Sequence, residues 1–356
     1  MQTVCKSPIL ISDETTYDCL QSQGRGIGQA VDNPASQSYV LALSNTDWDK
    51  HRFVAYRYIR SRSAQSIGDE VQALGFNPQV LVTDGYGGYR SLLSKRWPNM
   101  SHQSCLIHFR REIIEALNLP ALGKEIKKLD DQGVAELGRR WLKEQDPSMK
   151  MLAVLDGLST VYHLEELQRD PQESDEQYLE RVRLNRRERV KPIMDDIDRI
   201  MLSMVSEYTE IKNSKYEKKS GSAWCAPVVY YMNRRDSLRY FLVDERVPCD
   251  TNVVERAIRP LTLIRKNSYF TQSIEGLESL CDTFTLFETA RVNGIKNPIE
   301  WLKAYGQALH DYIFNAAWTQ AYQEGKDPSK KIMQWKMEKY REGFDWEPWL
   351  PWNWKE

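Results

Sequence analysis

Three carboxylates stand where local patterns would end or begin an element. Asp13 closes one apolar run, Asp84 closes another, and Glu255 lies three residues into a helical pattern starting near Asn252. Aspartates at the ends of neighbouring central strands converge in the crevice at the edge of an α/β sheet. A third carboxylate from a packed helix would complete a hard-oxygen cage, the donor set that suits Mg²⁺ or Mn²⁺. Two such ions about 3.5–4 Å apart activate a nucleophile and stabilise the leaving oxygen of an in-line phosphoryl displacement. The chemistry implied is the cutting or joining of a phosphodiester. Each residue also has a plainer use. Asp84-Gly85 is a common turn pair. Glu255 stands at capping-box spacing from Asn252 and at ion-pair spacing from Arg259.

Other groups carry weaker signals. Cys105 and His108, with His102 nearby, make half of a zinc site, and no second ligand pair follows in the sequence. The plainer reading of that pair is a helix start that braces the site or contacts DNA. Arg256, Arg259, Arg265 and Lys266 flank the third carboxylate and suit DNA phosphates. A second basic run, Arg181, Arg183, Arg186, Arg187 and Arg189, fits a phosphate-binding face or a solvated, ion-paired helix equally well. Five of the eleven tryptophans (Trp335, Trp346, Trp349, Trp352 and Trp354) lie in the tail among Pro348 and Pro351. Packing on the body or on a second protomer is the better reading for them than base stacking.

The elements that must hold these residues follow from periodicity. Pro8–Asp13, Ser38–Ser44 and Arg52–Ile59 read as strands, the last two joined as a hairpin or meander through Asn45-Thr46-Asp47. Ser61–Leu74 has helical spacing, with Ser61 or Ser63 as cap. Gln79–Thr83 is apolar enough for a strand covered on both faces and leads directly into Asp84. A fifth strand near Ser101–Leu106 precedes a helix over His108–Leu117, so the order is β-β-β-α-β-α-β-α. From Pro120 to about Arg246 the pattern is of long charged helices, with one strand candidate near Val228. The final apolar-periodic region, 252–317, is expected to break near Pro260, Gly294 and Pro298.

Composition sets the bounds. The chain has 356 residues, 41% hydrophobic and 28% charged, with 49 Lys+Arg against 50 Asp+Glu. Those fractions exclude global disorder, a collagen-like repeat and a membrane bundle. A net charge of -1 gives no general affinity for polyanions, so DNA would have to meet local clusters of cations. The six cysteines are scattered, as in a reducing compartment. No signal peptide or membrane-spanning stretch is evident.

The same residues resemble a known family. Asp13-Glu14-Thr15, the run Thr83-Asp84-Gly85-Tyr86-Gly87-Gly88-Tyr89, and Asn252-Val253-Val254-Glu255-Arg256-Ala257-Ile258-Arg259-Pro260 with Ile264-Arg265-Lys266-Asn267 look like its three catalytic blocks. Cys105-Leu106-Ile107-His108-Phe109-Arg110-Arg111 resembles its C-x-x-H-x-x-R element, and Leu350-Pro351-Trp352-Asn353-Trp354 is similar to its C-terminal signature. The family is that of the insertion-sequence-66-type bacterial transposases, acidic-triad enzymes with a ribonuclease-H-like core. Where the family has an acidic residue and two asparagines before the third block, this chain has Cys249-Asp250-Thr251-Asn252.

The resemblance implies an α/β fold: a ribonuclease-H-like mixed sheet with a large helical insertion and C-terminal helices. The expected divisions are 1–119 and 247–317 for the catalytic core, 120–246 for the insertion, and 318–356 for a Trp-rich arm. It implies that Asp13, Asp84 and Glu255 are catalytic and bind two Mg²⁺ or Mn²⁺ ions, and that the enzyme cleaves and joins transposon DNA. Arg256, Arg259, Arg265, Lys266, Arg110 and Arg111 are expected to contact double-stranded DNA at the transposon ends and target. A homo-oligomer assembled on DNA is expected, in a bacterial, nucleoid-associated cytoplasmic setting, with no membrane. Family members carry a coiled-coil, zinc-binding and end-recognition region before the first block, whereas this chain begins twelve residues before Asp13. The expectation is a chain lacking that region, with end recognition poor or supplied by a separate N-terminal subunit. The rival readings are a structure-selective nuclease of the same fold and a non-catalytic fragment that regulates transposase or DNA.

Overall fold

Short apolar runs form the strands, and the two most apolar lie side by side. In the computed structural model, which describes residues 7–25, 31–32, 34–143, 146–170, 172–323 and 343–354, the principal strands are β1 (Ile9–Thr16), β2 (Tyr39–Ser44), β3 (Val54–Ile59), β4 (Val80–Thr83) and β5 (Ser101–Ser104). They form one mixed sheet in the order β3-β2-β1-β4-β5. β4 is buried throughout, and β1 is buried over its first four residues before opening at Asp13, as central strands covered on both faces must be. β1 pairs parallel with β4 from Ile9 opposite Val80 to Ser12 opposite Thr83. β4 pairs parallel with β5, and β2 pairs antiparallel with β3. An antiparallel pair on one side of β1 and parallel neighbours on the other is the ribonuclease-H-like arrangement that the sequence implied.

The chain divides into two compact units. The first comprises Met1–Asp13, Thr46–Trp48 and Arg62–Arg256, and the second Glu14–Asn45, Asp49–Ser61 and Ala257–Glu356. In the first, helix α1 (Ala64–Ala73) is capped by Ser63, whose hydroxyl accepts from the Ser66 N–H at 3.1 Å. α2 (Gly87–Arg96) follows β4, and α3 (Leu106–Leu117) follows β5. After α4 (Leu119–Ile126) and α5 (Asp131–Lys143) come α6 (Pro147–Glu165), α7 (Asp175–Asn185), a π-helical turn over Arg186–Val190, and α8 (Lys191–Tyr208). Met151, Val154, Leu158 and Val161 on α6, and Met194, Ile197, Met201 and Met204 on α8, are buried stripes at helical spacing. These helices pack on one another, and α3 packs on α6 and on α9 (Cys225–Met232).

Two expectations need correcting. Val228 lies in α9, not in a strand. The strands of that block are a charged hairpin, β6 (Thr209–Lys212) and β7 (Lys215–Lys218). Its signal is the turn: Asn213 and Ser214 have φ of 49° and 60°, the paired left-handed geometry of a two-residue hairpin. Nor does Pro260 break its helix, since α10 runs from Asn252 to Ser268 through it. Val254, Ala257, Ile258 and Leu261 are all buried, an i, i+3, i+4, i+7 face whose burial outweighs one missing N–H. The breaks expected near Gly294 and Pro298 do occur, between α11 (Ile274–Val292) and α12 (Pro298–Gln323).

In the second unit α11 covers the outer edge of β3. Thr285 Oγ1 accepts from the Tyr56 N–H at 2.9 Å, and Thr289 Oγ1 accepts from the Val54 N–H at 3.2 Å and donates to the Val54 carbonyl at 3.0 Å. Helix side chains thus occupy polar groups that an open edge strand would present to other chains. Trp301 Nε1 donates to the Trp349 carbonyl at 3.1 Å, Trp349 packs on Trp354, and Trp352 stacks on His51 with ring centres 4.5 Å apart. These tail tryptophans therefore pack on their own unit. Trp335 lies outside the described residues.

Candidate active site

Asp13, Asp84, Glu255 and the side chains described around them lie in the first unit. Because Ser12 is opposite Thr83, the next residues, Asp13 and Asp84, lie side by side where the parallel pairing stops; Asp84 follows the end of β4, whereas β1 continues to Thr16, so Asp13 does not close its strand as expected. Their carboxylates approach within 4.8 Å. Asp84 is only 8% exposed. Its Oδ1 accepts from the Tyr86 N–H at 2.8 Å, and its Oδ2 is ion-paired with Arg62, whose guanidinium lies over the Tyr86 ring at 4.1 Å. The turn use and the site use of Asp84 therefore coexist: one oxygen folds the loop, and the other faces a cation. Gly85 is required for space, because a Cβ there would lie 2.1 Å from the Tyr230 hydroxyl. Arg234 Nε donates to the Gly85 carbonyl at 3.0 Å and fixes the same loop.

Glu255 comes from the first turn of α10. Asp250 holds the helix start, its two oxygens accepting from Asn252 N and Nδ2 at 2.9 and 2.8 Å. The buried Thr251 donates its hydroxyl to Glu255 Oε1 at 2.9 Å. Asn252 thus bonds Asp250, and the residue that engages the Glu255 side chain is Thr251. Glu255, His108 and Cys105 bring an oxygen, a nitrogen and a sulfur within 4.8 Å of one another. Burial holds the His108 imidazole below its usual range, against the opposing fields of Asp84 and Glu255. Burial also pushes the Cys105 thiol up to about 12. His102 is not in this group: its Nε2 meets Thr83 Oγ1 at 2.9 Å, and burial lowers its pKa to about 4.

The expected DNA-contacting cations differ in their surroundings. Arg256, Arg259, Lys266 and Arg111 are exposed, Arg110 is half-buried, and the nearest carboxylate oxygen to Arg256 is that of Asp47 at 3.9 Å. In the second unit, Arg265 Nη1 donates to Thr15 Oγ1 at 3.1 Å and to the Thr16 carbonyl at 2.6 Å, so it braces the end of β1. Sequence reasoning missed Arg62, Thr251 and Arg234. None has a diagnostic spacing, since each meets the site only through the fold.

The curated relatives include the uncharacterized proteins y4qI and y4jD of Sinorhizobium fredii (strain NBRC 101917 / NGR234). The chain is 27% identical to y4qI over 70% of its length, and 25% identical to y4jD over 75%. It spans less than half of either relative, 39% and 44%. Among solved structures, the Drosophila P element transposase strand transfer complex aligns with 77% of this chain and 75% of that one, at 12% identity and a TM-score of 0.34. The family model described as Transposase IS66 family matches residues 1–279. That match takes in the β1, β4 and α10 segments that carry Asp13, Asp84 and Glu255, and by it the chain belongs to the IS66 family of transposases.

Proposed function

We propose that this chain is the catalytic part of an insertion-sequence transposase, which cuts and joins DNA strands by metal-dependent phosphodiester hydrolysis and transesterification. The observation that carries the reading is the approach of the Asp13 and Asp84 carboxylates within 4.8 Å just past the last paired residues of two parallel strands. Carboxylates this close repel one another, a repulsion that Arg62 offsets at Asp84 and that a bound cation would offset further. Both offer only oxygen, so the donor set fits Mg²⁺ or Mn²⁺. Asp13, Asp84 and Glu255 are the residues that would hold such ions. Bound there, divalent ions polarise the phosphoryl group and activate the attacking water or hydroxyl.

The chain's own part is positioning. Strand register sets Asp13 beside Asp84, the Tyr86 N–H fixes one Asp84 oxygen, and Thr251 orients Glu255. Arg62 balances the Asp84 charge. The exposed Arg256, Arg259 and Lys266 suit the phosphate backbone, which they would hold without reading sequence. In this reading the helical block 120–246 is an insertion between the second and third catalytic blocks, and the partners are double-stranded DNA and further copies of the chain.

Strand transfer from pre-cut donor DNA with Mn²⁺ tests it, since pre-cutting lessens the need for end recognition. The expected result is joining by the natural chain and none by Asp84→Asn, with folding and filter binding of DNA nearly intact. Asn keeps the shape and loses the charge that holds the cation. Full joining by Asp84→Asn overturns the reading.

A further inference from the structure

Cys105 and His108 sit at the start of α3, Cys105 just before the first helical residue and His108 in the first turn. This places both side chains at one helix end, and the fold supplies Glu255 as a third donor from far along the chain. The ligand atoms of all three lie within 4.8 Å of one another. An independent observation points the same way: His108 Nδ1 is buried and has no hydrogen-bond partner among the described residues. Buried polar atoms are rarely left so, and an orphan calls for an explanation such as an ion. Thr251, whose hydroxyl donates to Glu255 Oε1 at 2.9 Å, orients that carboxylate from outside.

The chemistry of this trio differs from that of the carboxylate pair. Asp13 and Asp84 offer oxygen alone, as hard ions require. Sulfur, nitrogen and oxygen together select a borderline transition ion, and three protein ligands with a fourth place left open make the pattern of an accessible zinc site. We propose that Cys105, His108 and Glu255 form a second metal site, separate from the Asp13 and Asp84 pair, that takes a tetrahedral Zn²⁺-class ion. Cys105 binds as thiolate and releases its proton to solvent; neutral His108 gives a nitrogen lone pair, and Glu255 gives one carboxylate oxygen. No electron is transferred. The ion ties the first turn of α10 to the start of α3. The site shares Glu255 with the proposed transposase centre, so its bearing on DNA joining rests on that reading, whereas its existence does not.

The test is titration of the chelator-stripped full chain with Co²⁺, followed by displacement with Zn²⁺. The expected result is one equivalent of Co²⁺ that carries a thiolate-to-cobalt charge-transfer band and strong tetrahedral visible bands, apart from any weakly absorbing ion at the carboxylate pair, and both bands are lost on adding Zn²⁺. Cys105→Ser should lose the charge-transfer band. His108→Gln and Glu255→Gln should weaken Co²⁺ binding by about tenfold or more, the scale of effect that even outer-shell changes produce at metal sites. The double variant Asp13→Asn/Asp84→Asn should keep the spectrum while abolishing any joining, which separates failure of this site from failure of the transposase reading. If Cys105→Ser does not fold by circular dichroism, His108→Gln decides. Octahedral absorption alone, with no charge-transfer band in the natural chain, or unchanged affinity of the thiolate-bound Co²⁺ in His108→Gln, overturns the proposal.

Discussion

Between Arg181 and Arg189 five arginines fall within nine residues, and between Arg256 and Lys266 four cations fall within eleven. Composition does not distinguish the two runs; their surroundings do. In the first run, Arg186 is buried, donates from Nε and Nη2 to Glu165 at 2.6–3.0 Å, and donates from Nη1 to the carbonyls of Phe241 at 2.6 Å and Asp244 at 3.0 Å. Arg181 pairs with Glu173 at 2.7 Å, Arg183 with Glu180 at 2.5 Å, and Arg187 with Glu188 at 3.0 Å. In the second run Arg256, Arg259 and Lys266 stay exposed, and only Arg265 is drawn into the fold. The difference teaches that a basic run signals polyanion binding only where acidic neighbours do not already claim it. The partners of the first run, Glu165, Glu173, Glu180 and Glu188, come from within the same helical block, whereas the carboxylate near Arg256 is that of Asp47 at 3.9 Å.

The contrast is broken most severely at Arg186. Arg186→Ala leaves the half-buried Glu165 without its partner and empties the buried Arg186 position, and removing one member of a buried pair costs about 3–5 kcal/mol. A urea midpoint shift of that scale is expected, whereas Arg256→Ala should stay within about 0.5 kcal/mol, as exposed substitutions do. Equal shifts for the two would erase the distinction.

A smaller effect belongs to Asp198, in the same helical block. Arg235 donates to both its oxygens at 2.6 Å, and Tyr231 donates at 2.9 Å. The Arg235 hydrogen bonds hold the carboxyl below its ordinary range. A lowered folded pKa contributes stability above the unfolded value, about 3.9 for an aspartate, and that stability is lost as pH falls through the folded value. Asp198→Asn should lower stability at neutral pH by about 1.5–3 kcal/mol, the range for hydrogen bonds to charged groups. It should also flatten the acid limb of the stability–pH curve. Thermal midpoints at a series of pH values check both.

How far these outcomes are legible in the sequence depends on the length scale of each cause. The strand-end position of Asp84, one of the two serines offered as cap, Ser63, and the covered β4 strand follow from local pattern, and the structure has them, whereas β1 runs past Asp13 to Thr16. The pairing of Asp13 with Asp84 also requires β1 and β4 to be neighbours, which the family resemblance supplies and periodicity does not. Two failures are local competitions. The missing N–H of Pro260 predicts a break, yet a buried face on both sides of it holds the helix together. The short apolar run near Val228 reads as a strand candidate, yet the segment packs as a helix on α3 and α8. The remainder is nonlocal: nothing near Cys105 in sequence announces Glu255 as its neighbour, and nothing near Asp84 announces Arg62.

DNA binding sharpens the comparison from the other side. Arg256→Ala together with Lys266→Ala should weaken binding to any duplex alike, and should reduce the slope of log affinity against log salt by about 0.9 for each phosphate no longer neutralised. Binding measured at several salt concentrations gives that slope. An unchanged slope would mean that phosphates are held elsewhere and that exposure on α10 has no such use.

The smallest effect is expected at Arg183, and it is the most discriminating within the first run. Its partner Glu180 lies one turn away on the same exposed helix face, with side chains 62% and 47% exposed. Such pairs lose to solvent screening and side-chain entropy most of what attraction gives them. Arg183→Ala should therefore leave the urea midpoint where it was, in contrast to Arg186 three residues on. It should also leave the DNA salt slope unchanged, because an arginine already paired with glutamate releases no net counterion from a phosphate. A lower slope in Arg183→Ala would show that DNA displaces Glu180 from it, and the helical block would then share phosphate binding with α10.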